Sequence, residues 1–281
     1  MMSRAVVIIP ARYASTRFPG KILTEILGKP MIMWVYERAS LISLADDVIV
    51  ATDDLRIFNV VKQFGGKSLM TSSSHESGSD RIAEAALSLD CDIVVNVQGD
   101  EPLLDPGAVD SCIQELLSDP GQETVTLRAP ILDVSELFDP NTVKLVCSSD
   151  DYVLYFSRSP IPCVAEFAKA FKSGSLSKTR FKSCGVPFYR HIGVYAYRKD
   201  FLVRFSQMSR TPLERAEKLE QLRILERGYP IKALLTESVM KNVDVPADVP
   251  EVEDLLRRLH FRAFSRRSQK ATMAKSALPG D

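Results

Sequence analysis

Arg12, Arg17 and Lys21 place three cations within ten residues, in the run Pro10-Ala11-Arg12-Tyr13-Ala14-Ser15-Thr16-Arg17-Phe18-Pro19-Gly20-Lys21. Guanidinium forks and an ammonium, with backbone N–H groups between small and hydroxyl side chains, suit the oxygens of a polyphosphate. A solvated basic loop is the plain alternative. Neither G-x-G-x-x-G nor G-x-x-x-x-G-K-[ST] occurs in the chain, so dehydrogenase and P-loop ATPase readings lose their main support. A second group lies in Val95-Asn96-Val97-Gln98-Gly99-Asp100-Glu101-Pro102. Asp100 follows an apolar run, where a carboxylate is costly unless it is paired or holds a cation. Mg2+ favours one or two protein carboxylates, with water and substrate phosphates completing its octahedron. Asp244, in Asn242-Val243-Asp244-Val245-Pro246, is a second such carboxylate. Each aspartate also has a plain reading, as a helix cap or turn residue.

These residues need elements to hold them. Apolar runs predict strands at Ala5–Ile9, Asp47–Ala51, Lys67–Thr71 and Asp92–Val97, with helices Pro30–Ile42, Asp54–Phe64 and Gly78–Leu89 between them. Such alternation predicts an α/β fold with a parallel sheet covered on both faces. Ligands in such folds bind beyond the carboxyl ends of the strands, where the basic loop and Asp100 fall. The second half is more mixed. Strands are expected at Thr124–Ala129, Lys144–Cys147, Tyr152–Ser157, His191–Tyr197 and Ile231–Leu235, and helices at Pro212–Arg227 and Pro250–Leu259.

Other loops offer further polar groups. In Ser72-Ser73-Ser74-His75-Glu76-Ser77-Gly78-Ser79-Asp80-Arg81, Ser77 or Ser79 suits a helix cap and Gly78 permits close approach of a ligand. Arg158 can fork onto a carboxylate, while His191 and Tyr195 can contact hydroxyls; a lone histidine is more often structural. Glu214, Glu217 and Glu220 lie at helical spacing, and for Glu217 a solvated face is the preferred reading.

Bulk properties narrow the class. The chain has 281 residues, with 36 lysines and arginines balancing 36 aspartates and glutamates. That balance gives no general reason to bind nucleic acid or an anionic membrane. No run reaches the ~20 apolar residues of a membrane span, and the short N-terminal apolar segment lacks a leader's core. Five scattered cysteines read as reduced thiols, so a cytoplasmic location is expected. Residues 163–187 are polar and weakly periodic and suggest a mobile excursion. Residues 262–281 carry five basic residues against one acidic and read as a disordered tail.

The motifs from Pro10 to Lys21, Ala51-Thr52-Asp53, His75 to Arg81, Val95 to Pro102, Leu154-Tyr155-Phe156-Ser157-Arg158, Arg190-His191-Ile192-Gly193 and Leu219-Glu220-Gln221-Leu222-Arg223 resemble, in order, those of the CMP-Kdo synthetase family. The resemblance runs over roughly residues 4 to 260, and several ordered motifs are more specific than any one alone. It implies a Rossmann-like nucleotidyltransferase sheet in a single domain over 1–261. A smaller dimerisation and sugar-binding portion would lie at roughly 130–215. The implied reaction joins CMP from CTP to 3-deoxy-D-manno-octulosonate (Kdo) with release of pyrophosphate, on the route to lipopolysaccharide, by a homodimer. By that mapping Arg12, Ser15, Arg17, Lys21, Ser77, Gly78 and Arg81 serve CTP. Asp100 and Asp244 hold Mg2+. Gln98, Arg158, His191, Tyr195, Glu214 and Glu220 line the sugar pocket. Residues 163–187 diverge from the pattern, so no sugar contact is assigned there.

In the mechanism expected on this reading, the anomeric hydroxyl attacks the α-phosphorus in line, and no histidine or cysteine base is needed. A synthetase for sialic acid or another acidic sugar is the nearest rival. A nucleotide-sugar glycosyltransferase, which shares the sheet architecture, is the rival from another class, with a non-catalytic nucleotide sensor a third.

Overall fold

The first strand, β1 (Ala5–Ala11), alternates between two apolar clusters: Ala5, Val7, Ile9 and Ala11 on one side, Val6 and Ile8 on the other. A strand buried on both faces must be apolar throughout, which is why its sequence shows no polar alternation. The computed structural model describes residues 3–14, 18–174, 177, 181, 185–238 and 240–259. Within them two short strands, β2 (Glu25–Ile26) and β3 (Lys29–Pro30), form a hairpin through Leu27 and Gly28. Both turn residues have positive φ, 51° and 74°, the backbone that a two-residue turn between twisted strands requires.

Around β1 the chain builds a nine-stranded sheet. On one side β1 pairs in parallel with β4 (Asp47–Thr52), and β4 with β5 (Ser68–Met70); on the other it pairs in parallel with β6 (Ile93–Asn96). The helices α1 (Met31–Ala39), α2 (Leu55–Gln63), α3 (Gly78–Leu87) and α4 (Pro106–Ser118) connect these strands and lead onward. The sequence reading omits α4, although Asp105 at its N-cap and Pro106 in its first turn are strong start signals. β7 (Thr124–Pro130) follows, then α5 (Val134–Phe138), β8 (Lys144–Cys147), β9 (Val153–Ser157), β10 (Tyr189–Arg198) and β11 (Lys232–Leu235).

The spine of the sheet runs β11-β7-β10-β6-β1-β4-β5. It is not wholly parallel, as the strand–helix alternation predicts, because β10 pairs antiparallel with both β6 and β7. That reversal matters for the site. Tyr195 is opposite Asn96, so the residues before Tyr195 lie at the carboxyl end of β6. The β10–β7 register then shifts between Ile192 and Tyr195, and the Thr126 hydroxyl, 2.7 Å from the Val194 carbonyl, fastens the irregular stretch.

Two departures concern the second half. The predicted helix Pro212–Arg227 is broken into Pro212–Glu217 and Leu222–Glu226, with Lys218 left-handed at φ 54° between them. Part of the expected excursion is folded: Ala165–Phe167 and Ala168–Ser173 are short helices, and Phe167, Phe181 and Phe188 join Ile131 and Leu137 in a small separate core. A helix over 249–259 closes the described chain, with Val252 and Leu256 in the main core. The tail 262–281 lies outside the described residues.

Candidate active site

Lys21 is the centre of the site. Gly20, left-handed at φ 70°, donates its N–H to the Tyr13 carbonyl and turns the chain into the short helix Lys21–Leu23. The Lys21 ammonium bonds the Asp100 carboxylate and lies 3.2 Å from the Val243 carbonyl and 3.4 Å from Asp244 Oδ1. Loops far apart in sequence thus converge on one point. The Val243 N–H donates to the Asp100 carbonyl at 3.0 Å, tying the two aspartate loops together. Asp248 Oδ2 accepts from the N–H groups of Asp244 and Val245 at 2.8 and 2.9 Å and fixes the second loop. The sequence reading passes over Asp248, although an Asp two residues after a proline is a turn and cap signal.

The donor set fits a hard divalent cation. Two carboxylates already converge on a single positive charge, so Asp100 and Asp244 would be the residues to hold such a cation. Among the described residues no group of three or more His, Cys, Asp and Glu side chains could hold a metal by itself. Two carboxylates leave room for the phosphate and water oxygens that magnesium prefers.

Three neighbouring cavities surround this point. One, of about 200 Å³, is lined by Arg12, Ser77, Gly78, Arg81 and Gln98. Gln98 also lines a cavity of about 670 Å³ with Glu101, Arg190, His191, Gly193 and Asp244. Ser77 also lines a third, of about 440 Å³, with Glu214, Glu220 and Arg223. Arg12, Ser77, Gly78, Arg81, Gln98, His191, Glu214, Glu220 and Asp244 are therefore brought to one region. Lys21 and Asp100 join them through the ion pairs. Ser15 and Arg17 lie outside the described residues.

Several side chains have structural duties as well. Ser77 caps α3 by accepting the Asp80 N–H at 3.0 Å. Arg81 is buried, donating to Thr71 Oγ1 at 2.6 Å and pairing with Asp53 at 3.1 Å. His191 is packed edge-on to Phe156 and beside Tyr195, and burial pushes its pKa down to about 3. It is neutral at physiological pH. The Thr126 proton is directed at the Val194 carbonyl, so its oxygen accepts from His191 Nε2–H at 3.0 Å, and Nδ1 is the ring's acceptor. Burial also pushes the Glu101 carboxyl up to about 8, with the neighbouring Asp100 charge adding to the effect and Arg190 opposing it.

The remaining sugar candidates have protein partners of their own. Tyr195 packs in the apolar cluster with its ring stacked on Tyr197, and it lines none of the three cavities. Arg158 spends its guanidinium on the carbonyls of Glu217, Pro140 and Lys218. Glu214 receives both arms of Arg223, at 2.6 and 2.8 Å, and closes a capping box with Thr211. Burial raises its carboxyl, but the Arg223 fork and the Thr211 N–H outweigh this and hold it below the usual range. Glu220 accepts from Ser79 Oγ at 2.8 Å, and burial raises its carboxyl. Glu217 is not on a solvated face: it accepts from Ser157 Oγ at 2.6 Å and from the Arg158 N–H at 3.0 Å. Glu214 and Glu217, in one short helix, face Arg223 and the Ser157–Arg158 turn, while Glu220, past the break at Lys218, meets Ser79.

Two further residues escape the sequence reading. Arg190 brings a cation to the 670 Å³ cavity and, among the described residues, is held by a 3.7 Å contact to Glu136 and a 3.3 Å bond to the Met240 carbonyl. Lys144 is fully buried and donates to the carbonyls of Asp139, Thr142 and Arg158, stapling the loop that carries Arg158. The glycosyltransferase rival looks for Asp-x-Asp beside the site. Asp90-Cys91-Asp92 has that pattern, but it precedes β6 at the opposite end of the sheet, where Asp92 accepts the Arg4 N–H at 2.8 Å and Asp90 pairs with Arg4. Cys91 and Cys112 are buried, Cys163 is exposed, and these and Cys147 are free thiols. No helix among the described residues is long and apolar enough to cross a membrane.

A parallel-based sheet with a basic loop after β1 and paired carboxylates beyond β6 is the arrangement of a nucleotidyltransferase, and the cytidylyltransferase family matches residues 6–234. The relatives narrow this. A 3-deoxy-manno-octulosonate cytidylyltransferase of Geotalea uraniireducens is 50% identical over 251 residues, covering 89% of this chain and 98% of the relative. One of Geobacter metallireducens is 47% identical over 254 residues, covering 90% and 98%. A solved CMP:2-keto-3-deoxy-manno-octonic acid synthetase complexed with CTP matches with a TM-score of 0.81 at 40% identity, covering 91% of this chain and 99% of that one. The chain belongs to the 3-deoxy-manno-octulosonate cytidylyltransferases, the CMP-Kdo synthetases.

Proposed function

We infer that this chain activates Kdo, transferring CMP from CTP to the sugar's anomeric hydroxyl and releasing pyrophosphate, with Mg2+ held by Asp100 and Asp244. The observation that carries the reading is the convergence of Lys21, Asp100 and Asp244 beside a cavity that also presents Gln98 and His191. Identity of about half to relatives so named supports the acceptor.

In the reaction the sugar oxygen forms a bond to the α-phosphorus. The bond from that phosphorus to the bridging oxygen breaks, pyrophosphate leaves, and the hydroxyl proton passes to solvent. Magnesium, when bound, supplies charge stabilisation on the phosphate oxygens and makes the attacking hydroxyl more acidic. Arg12, Arg17 and Lys21 bind the triphosphate, and Ser15 accompanies them. Ser77, Gly78 and Arg81 flank the nucleotide. A Cβ on Gly78 would touch only Pro10, at 3.5 Å, so the cavity side of that residue is left to the ligand. His191 stays neutral and orients a sugar hydroxyl through Nδ1, while Gln98 reaches both the nucleotide and the sugar side. Arg158, once released from its carbonyls, and Glu220 complete the sugar pocket, with Tyr195 backing the His191 ring. Glu214 acts there only through Arg223.

The same reading gives a homodimer in the cytoplasm, with the portion at roughly 130–215 as the dimerisation and sugar-binding part. β9 supports this. Among the described residues it pairs as a strand only with β8; just before it Tyr152 bridges to Lys232, its first residue donates to the Ile231 carbonyl at 2.9 Å, and Leu154 further along is 64% exposed. Uncovered strand edges of this kind invite pairing. Light scattering at micromolar concentration should return twice the 31.3 kDa chain mass; a monomer at all concentrations would reject the dimer.

Pyrophosphate release from CTP and Mg2+ tests the reaction, with Kdo, N-acetylneuraminate or no sugar added. Release with Kdo alone is expected. Release with N-acetylneuraminate instead would move the acceptor to another acidic sugar, and release with neither would reject the reaction.

A further inference from the structure

Glu101 follows the candidate metal ligand Asp100 but points elsewhere. The Asp100 side chain meets Lys21, whereas Glu101 lines the 670 Å³ cavity with Gln98, Arg190, His191 and Gly193. Glu101 is 4% exposed, and its Oε2 is among the buried polar atoms without a hydrogen-bond partner. A buried carboxyl oxygen left unpaired is costly, and each such atom in a folded protein asks for an explanation.

The fold does not supply one. The turn that carries Glu101 is held by its backbone: its N–H donates to the Gln98 carbonyl at 3.2 Å, and its carbonyl accepts the Leu104 N–H at 3.1 Å. An apolar side chain at this position would satisfy the turn equally. Oε2 is closed in, and the open side of the carboxyl is at Oε1. Across from it is the irregular stretch of β10, where a Cβ on Gly193 would stand 3.4 Å from Glu101 Oε1 and 3.8 Å from Gln98 Cγ. Gly193 therefore keeps space open beside the two polar side chains.

The cavity's chemistry indicates what fills that space. Glu136, Asp244, Asp248 and Glu251 line it as well, and Arg190 and Lys241 bring two cations; the carboxylates accept hydrogen bonds from hydroxyls, and the cations can meet the carboxylate of an acidic sugar. We propose that Glu101 is a specificity-determining residue that binds a hydroxyl of the acceptor sugar through carboxyl Oε1, on the side of Gly193. The assignment rests on the acceptor reading above. A neutral sugar hydroxyl pairs that oxygen without introducing charge, and a substrate lacking the hydroxyl leaves it unpaired, which is how a polar site rejects a near analogue.

The test compares E101L and E101Q with the unaltered protein. E101L keeps the volume and removes the acceptor; E101Q keeps an acceptor oxygen. A hydrogen bond to such a group corresponds to about 10- to 100-fold. The sugar KM of E101L should rise by that factor while the CTP Kd stays within about twofold, and E101Q should recover most of the loss. Acceptors lacking single hydroxyls give a second readout: one of them should lose affinity for the unaltered protein and show no further loss with E101L. An unchanged sugar KM in E101L, an equal shift in CTP Kd, or E101Q no better than E101L would overturn the proposal. Should E101L fail to fold, E101D withdraws the acid by one methylene, and an unchanged sugar KM there overturns it too. The two readings fail separately. An unaltered protein inactive with Kdo rejects the acceptor, whereas normal turnover of Kdo with an E101L variant that matches it rejects Glu101 alone.

Discussion

Lys21 pairs with both candidate metal carboxylates and is also assigned to the triphosphate, so one ammonium has two competing sets of partners. At the dielectric of a partly buried site, a charge pair at hydrogen-bond range is worth a few kcal/mol at most. Removing the lysine charge frees the carboxylates for a cation and withdraws a phosphate ligand. K21M should therefore bind Mn2+ more tightly than the unaltered protein in the absence of CTP, by about tenfold (roughly 1.4 kcal/mol), and bind CTP more weakly. Calorimetric titration with Mn2+ alone measures this, and unchanged or weaker Mn2+ binding would reject the counter-ion role. D100A should lose turnover by about a hundredfold or more while keeping its far-UV circular dichroism, since several kcal/mol of charge stabilisation depend on the metal. Near-normal kcat in D100A would remove Asp100 from the site. His191 gives a pH prediction. Its folded pKa is depressed to about 3 from an ordinary 6.5, so the unfolded chain binds the extra proton first as pH falls. The stability this group contributes is present above pH 6.5 and is lost progressively between 6.5 and 3. Its ring resonances should not move between pH 7.5 and 5, and a midpoint near 6.5 by NMR would contradict the burial argument.

The two short helices on either side of Lys218 decide what three glutamates do. Glu214 and Arg223 form a buried bidentate pair across the break, with side chains 8% and 5% exposed. Removing one partner leaves the other charge buried, which costs about 3–5 kcal/mol. E214A should lose about that much in urea unfolding while its sugar KM, measured well below the unfolding midpoint, stays near normal; a large KM change at full stability would return Glu214 to direct sugar contact. The break itself has no local signature. Lysine at positive φ carries no glycine signal, and the Pro212 to Arg227 run keeps helical periodicity through it. Other elements were plainer. β1, β4 and β6 are legible because a strand buried on both faces is a continuous apolar run. The loops after β1 and β6 follow from that, which is why Lys21 and Asp100 could be named from the sequence. The direction of β10 could not, since a strand's apolar pattern is the same read either way, and only pairing with β6 and β7 sets its sense. Lys144 and Arg190 look, in sequence, like any charge beside a strand, and only the fold brings Lys144 to the Arg158 carbonyl and Arg190 to Glu136 and the Met240 carbonyl.

At the scale of the whole chain, the last element shown is the helix over 249–259, and it serves both core and site. Val252 and Leu256 are 0% and 2% exposed in the main apolar cluster, Glu253 accepts the Leu27 N–H at 3.1 Å, and Asp248, just before the helix, fixes the loop of Asp244. The relatives locate the active unit similarly: the 251 matched residues make up 98% of the Geotalea protein but 89% of this chain. Residues 262–281 should then be dispensable to the reaction, whereas the helix before them should not. A chain ending at residue 261 is expected to keep the melting temperature and the Kdo-dependent pyrophosphate release of the full chain. L256A should lose about 2–5 kcal/mol, the usual range for emptying a buried leucine position. Its loss should also weaken Mn2+ binding in the presence of CTP, because the helix carries the Asp244 loop with it. Thermal melts, pyrophosphate assays and Mn2+ titrations with CTP present, on the three proteins, read these. Equal damage from the truncation and from L256A would place the 262–281 segment in the working enzyme, and an L256A protein that melts normally would remove the helix from the core.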